Sequence, residues 1–209
     1  MFPGVEAQLL GPDARAQLES MVDLVDATAV DLTALPAERL ARIEIVVGGW
    51  GCNVLDDDLL ARMPKLRLLA YGAGSVKHTA TPATWEHGVL VSSAAAANAV
   101  PVAEFTFAAI VMIAKDVFRT RDRHRETRGR EAVAGSGPTG ALGTRGARVG
   151  VIGASATGRL VITRLQSLEV SIAVSDPYLD DDGARSLGAT RMDLDDLFPW
   201  ADIVTVHAP

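Results

Sequence analysis

The chain has 209 residues, 48% of them hydrophobic, and a formal net charge of -6 from 20 basic and 26 acidic side chains. That length and apolar content suit a globular protein of one large domain or two small ones, and the mildly acidic balance points away from a nucleic-acid partner. A single cysteine, Cys52, excludes an internal disulfide and fits a reducing, cytoplasmic setting.

The N-terminal stretch MFPGVEAQLLGPDAR lacks a basic head followed by an apolar run, so it does not read as a secretory leader. Residues 11–22 predict an opening helix, with Pro12 near its start and leucine and methionine on one face. Residues 43–47 (IEIVV) form an apolar run short enough for a buried strand, and Gly48-Gly49-Trp50-Gly51 ends it. Residues 55–62 suit a helix. Residues 66–70 are a second strand, opening into Tyr71-Gly72-Ala73-Gly74-Ser75. Residues 81–87 are a helix capped by Thr81 with Pro82 in its first turn, and residues 89–91 are a third strand. Strands alternating with helices predict a parallel sheet covered on its faces.

From Asn98 the pattern turns helical. Val102, Phe105, Ala109, Met112 and Ile113 give an apolar face, and the helix is expected to continue through the polar stretch 115–130. Six arginines in that stretch are interleaved with Asp122 and Glu126 and with no aromatic residue, which reads as a solvated helix end rather than a nucleic-acid surface. The most apolar part, residues 105–114, is too short to cross a membrane, and the chain is expected to be soluble. Residues 132–146 (AVAGSGPTGALGTRG) bury too little side chain to pack and read as a linker.

The stretch that organises the chain follows. Residues 149–152 are an apolar strand, Gly153-Ala154-Ser155-Ala156-Thr157-Gly158 a tight turn, and Leu160, Ile162, Leu165 and Leu168 mark an apolar-periodic helix. A second strand, residues 170–174, ends on Asp176, about 20 residues past the turn, where a dinucleotide-binding unit places the acid that accepts from the adenosine ribose. Unpaired backbone N–H groups and the positive dipole end of the helix let a pyrophosphate sit at the glycines without a lysine. The usual pattern is GxGxxG, and Ser155 stands at its second glycine. A Cβ there costs closeness to the pyrophosphate, and a left-handed backbone would cost about 1–2 kcal/mol; the serine hydroxyl is expected to compensate in part by donating to a phosphate oxygen. Asp176 is followed by Pro177-Tyr178 with no arginine beside it, so NAD is favoured over NADP. A weak strand at 189–192, an acidic helix at 193–198 and a strand at 202–206 complete four strands from Val149, the last with one apolar edge expected to be unpaired.

Four stretches together resemble the D-isomer-specific 2-hydroxyacid dehydrogenases, the family of phosphoglycerate, glyoxylate, D-lactate and formate dehydrogenases: 66–75 (LRLLAYGAGS), 98–104 (NAVPVAE), 149–177, and 201–209 (ADIVTVHAP). The resemblance implies two α/β Rossmann-like lobes with parallel sheets. Residues 1–97 would belong to the substrate lobe and residues 98–209 to the first half of an NAD-binding lobe, with the active site in the cleft. It places Gly74 and Ser75 in a loop whose N–H groups hold the substrate carboxylate, and Asn98 beside the substrate; alone, Asn98 would read as a helix cap. It puts Gly153, Ser155, Ala156, Thr157, Gly158 and Asp176 on the cofactor, and His207, Ala208 and Pro209 in the loop lining its adenosine side. The family's catalytic arginine and its histidine–carboxylate pair fall beyond Pro209, so the chain reads as the front of a longer enzyme, inactive by itself. His78, His87 and His124 match no motif and read as surface or structural residues. A homodimer is implied for the complete form. Two alternatives stand beside this reading: a non-catalytic NAD-binding or partner-binding module, and a methyl-donor enzyme, against which the 98–104 and 201–209 motifs argue.

Overall fold

Two separate sheets, each wholly parallel, carry the chain in a computed structural model that describes residues 4–26, 28–128 and 143–208. The chain divides into two compact units, Met1–Asn98 and Ala99–Pro209.

The first unit opens with helices α1 (Val5–Leu9) and α2 (Pro12–Met21), the latter with proline in its first turn as its sequence predicts. A 3-10 turn (Leu32–Ala34) and α3 (Ala37–Leu40) lead into β1 (Ile45–Gly48). Then come α4 (Asp57–Arg62), β2 (Leu68–Tyr71), α5 (Pro82–Glu86) and β3 (Leu90–Ser93). The sheet order is β1-β2-β3, with Leu69 of β2 opposite Val46 on one side and Val91 on the other. The helix starts are set locally. Asp56 accepts from the Leu59 N–H at 2.9 Å, and Thr81 and Thr84 form a capping box, each donating its hydroxyl to the Leu55 carbonyl. Leu40, Leu55, Leu60, Met63 and Leu69 fill the core, each fully buried leucine contributing about 1.5–3 kcal/mol of transfer free energy.

The long helix departs from expectation at both ends. Helix α6 runs Ala95–Ala114, because the alanine run before Asn98 propagates the helix toward the N-terminus; the Asn98 N–H donates to Ala94 O at 2.8 Å. Asn98 is therefore inside the first turn and does not cap the helix. At the other end Asp116 adopts a left-handed backbone (φ 53°), and α7 (Val117–Thr127) starts afresh after it. Aspartate is among the few residues that tolerate this conformation, so the single helix expected to 130 becomes two. At 20 residues with mean hydropathy 1.7, α6 is long and apolar enough to cross a membrane, contrary to the expectation from its last ten residues. In this fold its Ala103, Ile110 and Ala114 belong to the core of the second unit. Residues 132–142 of the predicted linker lie outside the described residues.

The second unit continues with β4 (Arg148–Ile152), α8 (Ala156–Leu165), β5 (Ser171–Ser175), α9 (Asp181–Ser186), β6 (Thr190–Arg191), α10 (Leu194–Trp200) and β7 (Ile203–Val206). Helix α9 was not predicted: it shows no apolar period and buries Ala184, and its start rests on Asp180 accepting from the Gly183 N–H at 2.7 Å. The sheet order is β6-β5-β4-β7, so the chain switches sides at β4, and β7 pairs with β4, with no other strand beside it among the described residues.

The outer strand is stapled at its start. Asp202 accepts from the Arg148 backbone N–H at 2.9 Å and from its guanidinium at 2.8 and 3.2 Å, and that guanidinium lies over the Trp200 ring. The Arg148 hydrogen bonds hold the Asp202 carboxyl below its ordinary value. The sign follows: a depressed carboxylate stabilises the fold above its unfolded-state value, and that contribution is lost as pH falls through the folded-state value. Asp202→Asn is therefore expected to lower the melting temperature at pH 7 and to flatten its fall below the ordinary carboxylate range, about pH 4; an unchanged acid limb in a melting series would contradict the staple.

Candidate functional site

In an open parallel sheet the crevice forms where strand order reverses, outside the carboxyl ends of the strands. Here that point lies between β4 and β7, and the residues that follow them are Gly153 and His207-Ala208. They are in contact. Gly153 has φ +93°, and a Cβ on it would come 2.6 Å from the Ala208 nitrogen; a Cβ on Gly158 would come 2.0 Å from the Gly153 carbonyl oxygen. Both positions require glycine, one for conformation and closeness and the other for closeness alone. The turn is locked by Gly153 N–H donating to Ser175 O at 2.8 Å and His207 N–H to Ile152 O at 2.7 Å.

Ser155 sits at φ -63°, ψ 177°, an extended backbone that any residue adopts, so the expected left-handed strain is absent. It is the N-cap of α8, its hydroxyl oxygen accepting from the Gly158 N–H at 3.3 Å. That leaves the Ala156 and Thr157 N–H groups, at the positive end of the α8 dipole, without an intrahelical partner. Among the described residues the Ser155 hydroxyl donates no hydrogen bond.

Asp176 does more than end β5. Its Oδ2 accepts from the Ala154 N–H at 2.7 Å and its Oδ1 from the Tyr178 N–H at 2.8 Å, so one carboxylate ties the glycine turn to the loop after the second strand. An open cleft of about 900 Å³ joins these parts, lined by Gly153, Ala154, Ser155, Arg159, Asp176 and Ala208, and farther along by Tyr178, Arg191 and Leu194. His207 packs its Cβ 3.5 Å from where a Gly158 Cβ would be, and its Nε2 lies 2.9 Å from the Thr205 hydroxyl. Burial pushes its imidazole below the ordinary value, so the ring is neutral at pH 7 and adds no cation beside the turn. Pro209 lies outside the described residues.

The first unit holds a second constellation. Gly72–Ser75 follows β2, and α6 follows its neighbour β3, so the adjacent strand ends deliver Gly74 and Asn98 to one place: a Cβ on Gly74 would come 3.1 Å from Asn98 Nδ2. The Asn98 side chain has no hydrogen bond among the described residues and keeps its donors available. The Ser75 hydroxyl accepts from the Lys77 N–H at 3.4 Å. His87 is structural, its Nδ1 lying 2.9 Å from Ala83 O.

Residues 107–209 match the NAD binding domain of the D-isomer specific 2-hydroxyacid dehydrogenases. Through this domain the chain belongs to that family. NAD is the cofactor of the domain, and the chain's own residues fit it: two obligatory glycines, free N–H groups at a helix start, and a carboxylate at the second strand end. Similar proteins include D-3-phosphoglycerate dehydrogenase of Mycobacterium bovis, 30% identical over 158 residues, covering 75% of this chain and 29% of that protein. The enzyme of the same name from Methanocaldococcus jannaschii is 26% identical over 202 residues, covering 96% and 37%. The chain thus spans under two-fifths of these relatives' length. Among solved structures, D-lactate dehydrogenase from Aquifex aeolicus, complexed with NAD and lactic acid, shares the fold with a TM-score of 0.73 at 22% identity, over 99% of this chain and 59% of that one.

Two cationic residues of the cleft escaped the reading of the sequence. Arg159 directly follows the third-position glycine, and its Nε donates to Ala154 O at 2.8 Å, which was legible as a cation in the first turn of α8. Arg191 was not legible: it reaches the cleft because β6 pairs with β5, Arg191 opposite Val174.

Proposed function

We propose that the protein is an NAD-dependent oxidoreductase that passes hydride between NAD(H) and a small 2-hydroxy or 2-keto acid. The observation that carries this reading is the Asp176 carboxylate bonded to the Ala154 N–H, because it sets acid and glycine turn in the relation a dinucleotide needs. In this reading the Ala156 and Thr157 N–H groups and Arg159 face the pyrophosphate, Asp176 faces the adenosine ribose, and Gly153, Ser155, Gly158, His207 and Ala208 shape the wall. Bound NAD supplies the hydride acceptor or donor. Gly74, Ser75 and Asn98 hold the acid's carboxylate, a backbone nest plus an amide being suited to one oxygen pair. The first unit is the substrate unit and the second the nucleotide unit.

The 209 residues alone are proposed to bind NAD without turnover, since the resemblance places the acid–base pair outside them, and such a pair contributes about 10²–10⁴-fold. The complete form is proposed to be a cytoplasmic homodimer; exposed Val102, Phe105 and Ile113 on α6 give the nucleotide unit an apolar face for a second copy. The test is calorimetry of the chain with NADH and then with a panel of small 2-keto acids. Binding of a keto acid that Asn98→Ala weakens about tenfold, with NADH affinity unchanged, is the expected result. NADH binding with no keto-acid binding would favour a module that binds the dinucleotide and nothing else.

A further inference from the structure

Arg191 carries a charge at the adenosine end that the absence of an arginine beside Asp176 in the sequence conceals. It lines the same cleft as Asp176. Its Nε donates to Leu179 O at 2.9 Å, which holds the guanidinium along the 177–179 loop. Its terminal nitrogens make no hydrogen bond among the described residues; Nη1 stands 3.8 Å from Asp181 and Nη2 3.7 Å from Asp193, ion-pair distances too long for hydrogen bonds. So the cleft that holds Asp176 also holds a guanidinium with open donors, with two carboxylates at ion-pair distance from it.

We propose that Arg191, Asp181 and Asp193 form a specificity-determining cluster: the two aspartates neutralise an arginine that would otherwise accept a 2′-phosphate, and so keep the site selective for NAD. This rests on the reading of the cleft as the dinucleotide site. A ribose diol is uncharged and indifferent to the cluster's balance. A 2′-phosphate brings close to two negative charges beside Arg191, whose charge Asp193 in the cleft lining and Asp181 at 3.8 Å already offset while Arg159 serves the pyrophosphate, and the guanidinium's planar donor fork suits a phosphate only when its own carboxylates are gone. The helices do not rest on these side chains: Asp181 lies in the first turn of α9, Asp193 precedes α10 without a side-chain cap hydrogen bond, and both are mostly exposed. A purely structural role at helix starts would leave NADP binding untouched when they are neutralised.

The test compares NADH and NADPH affinity by calorimetry for the 209-residue chain, its Asp181→Asn/Asp193→Asn form, and that form with Arg191→Leu added, each checked for an unchanged melt. The double substitution is expected to raise NADPH affinity about tenfold with NADH affinity held within about twofold, and the gain should shrink between low and high salt as exposed charges are screened. Adding Arg191→Leu should remove the gain. Unchanged NADPH affinity in the double form, beside intact NADH binding, would overturn the cluster and leave the NAD site standing. A gain that survives Arg191→Leu would overturn the role of the guanidinium. Failure of the folded unaltered chain to bind NADH would instead sink the placement of the dinucleotide, and the cluster with it.

Discussion

Gly158→Ala is expected to abolish NAD binding and to cost the second unit several kcal/mol of stability. The added Cβ would lie 2.0 Å from the Gly153 carbonyl oxygen, a backbone atom at the end of the central strand β4, so no side chain can rotate away to admit it. Relief requires α8 to move off β4, and that movement has two consequences. It uncovers Val161, Ile162 and Leu165, all fully buried against the sheet, at about 25 cal/mol for each Å² of apolar surface exposed. It also carries the Ala156 and Thr157 N–H groups away from Asp176 and from the Ala208 turn, and a misplacement of about 1 Å in a binding constellation is enough to lose it. Urea denaturation and NADH titration check the two effects separately. A variant with unaltered midpoint and affinity would show that the contact between turn and helix is looser than the geometry requires.

Asp176→Ala is the second large effect, and it acts at two levels. In the proposed site the carboxylate accepts from a ribose hydroxyl, and removing it weakens NAD binding and narrows the preference over NADP. The structure adds that the same two oxygens already accept from Ala154 and Tyr178 N–H groups at 2.7 and 2.8 Å. Hydrogen bonds to a charged group contribute about 1.5–3 kcal/mol, so the alanine variant also frees the glycine turn from the loop after β5. We expect NAD affinity to fall by about 100-fold, with a lowered melting temperature in the absence of cofactor, whereas a residue that touched the ligand alone would leave that melt unchanged. Calorimetry with NAD and NADP beside a cofactor-free melt reads both.

Much of this was legible because local chemistry and tertiary context agree. The apolar runs before Gly48, Tyr71 and Gly153 are short, are bounded by glycines and lie between helical periods, and each is a parallel strand. The capping threonine at 81 shows in sequence for the same reason. What was misread depended on something local pattern does not carry. The alanines before Asn98 have no apolar period but high helix propensity, so they lengthened α6; Asp116 looks like any polar helix residue until its backbone turns left-handed. The second-glycine position was judged by its motif, while the local backbone at Ser155 is extended and accommodates a side chain. Arg191 was invisible because its place in the cleft follows from strand pairing across 17 positions of sequence, Val174 to Arg191, and not from its neighbours.

The central claim is that the N–H groups at the start of α8 and the Asp176 carboxylate together hold an adenine dinucleotide. Its most direct test is a titration of the isotope-labelled chain with NAD, followed amide by amide by nuclear magnetic resonance. The account predicts saturable shifts concentrated at Ala154, Ala156, Thr157, Asp176 and Ala208. Shifts centred on another face, or none in a folded sample, would contradict it.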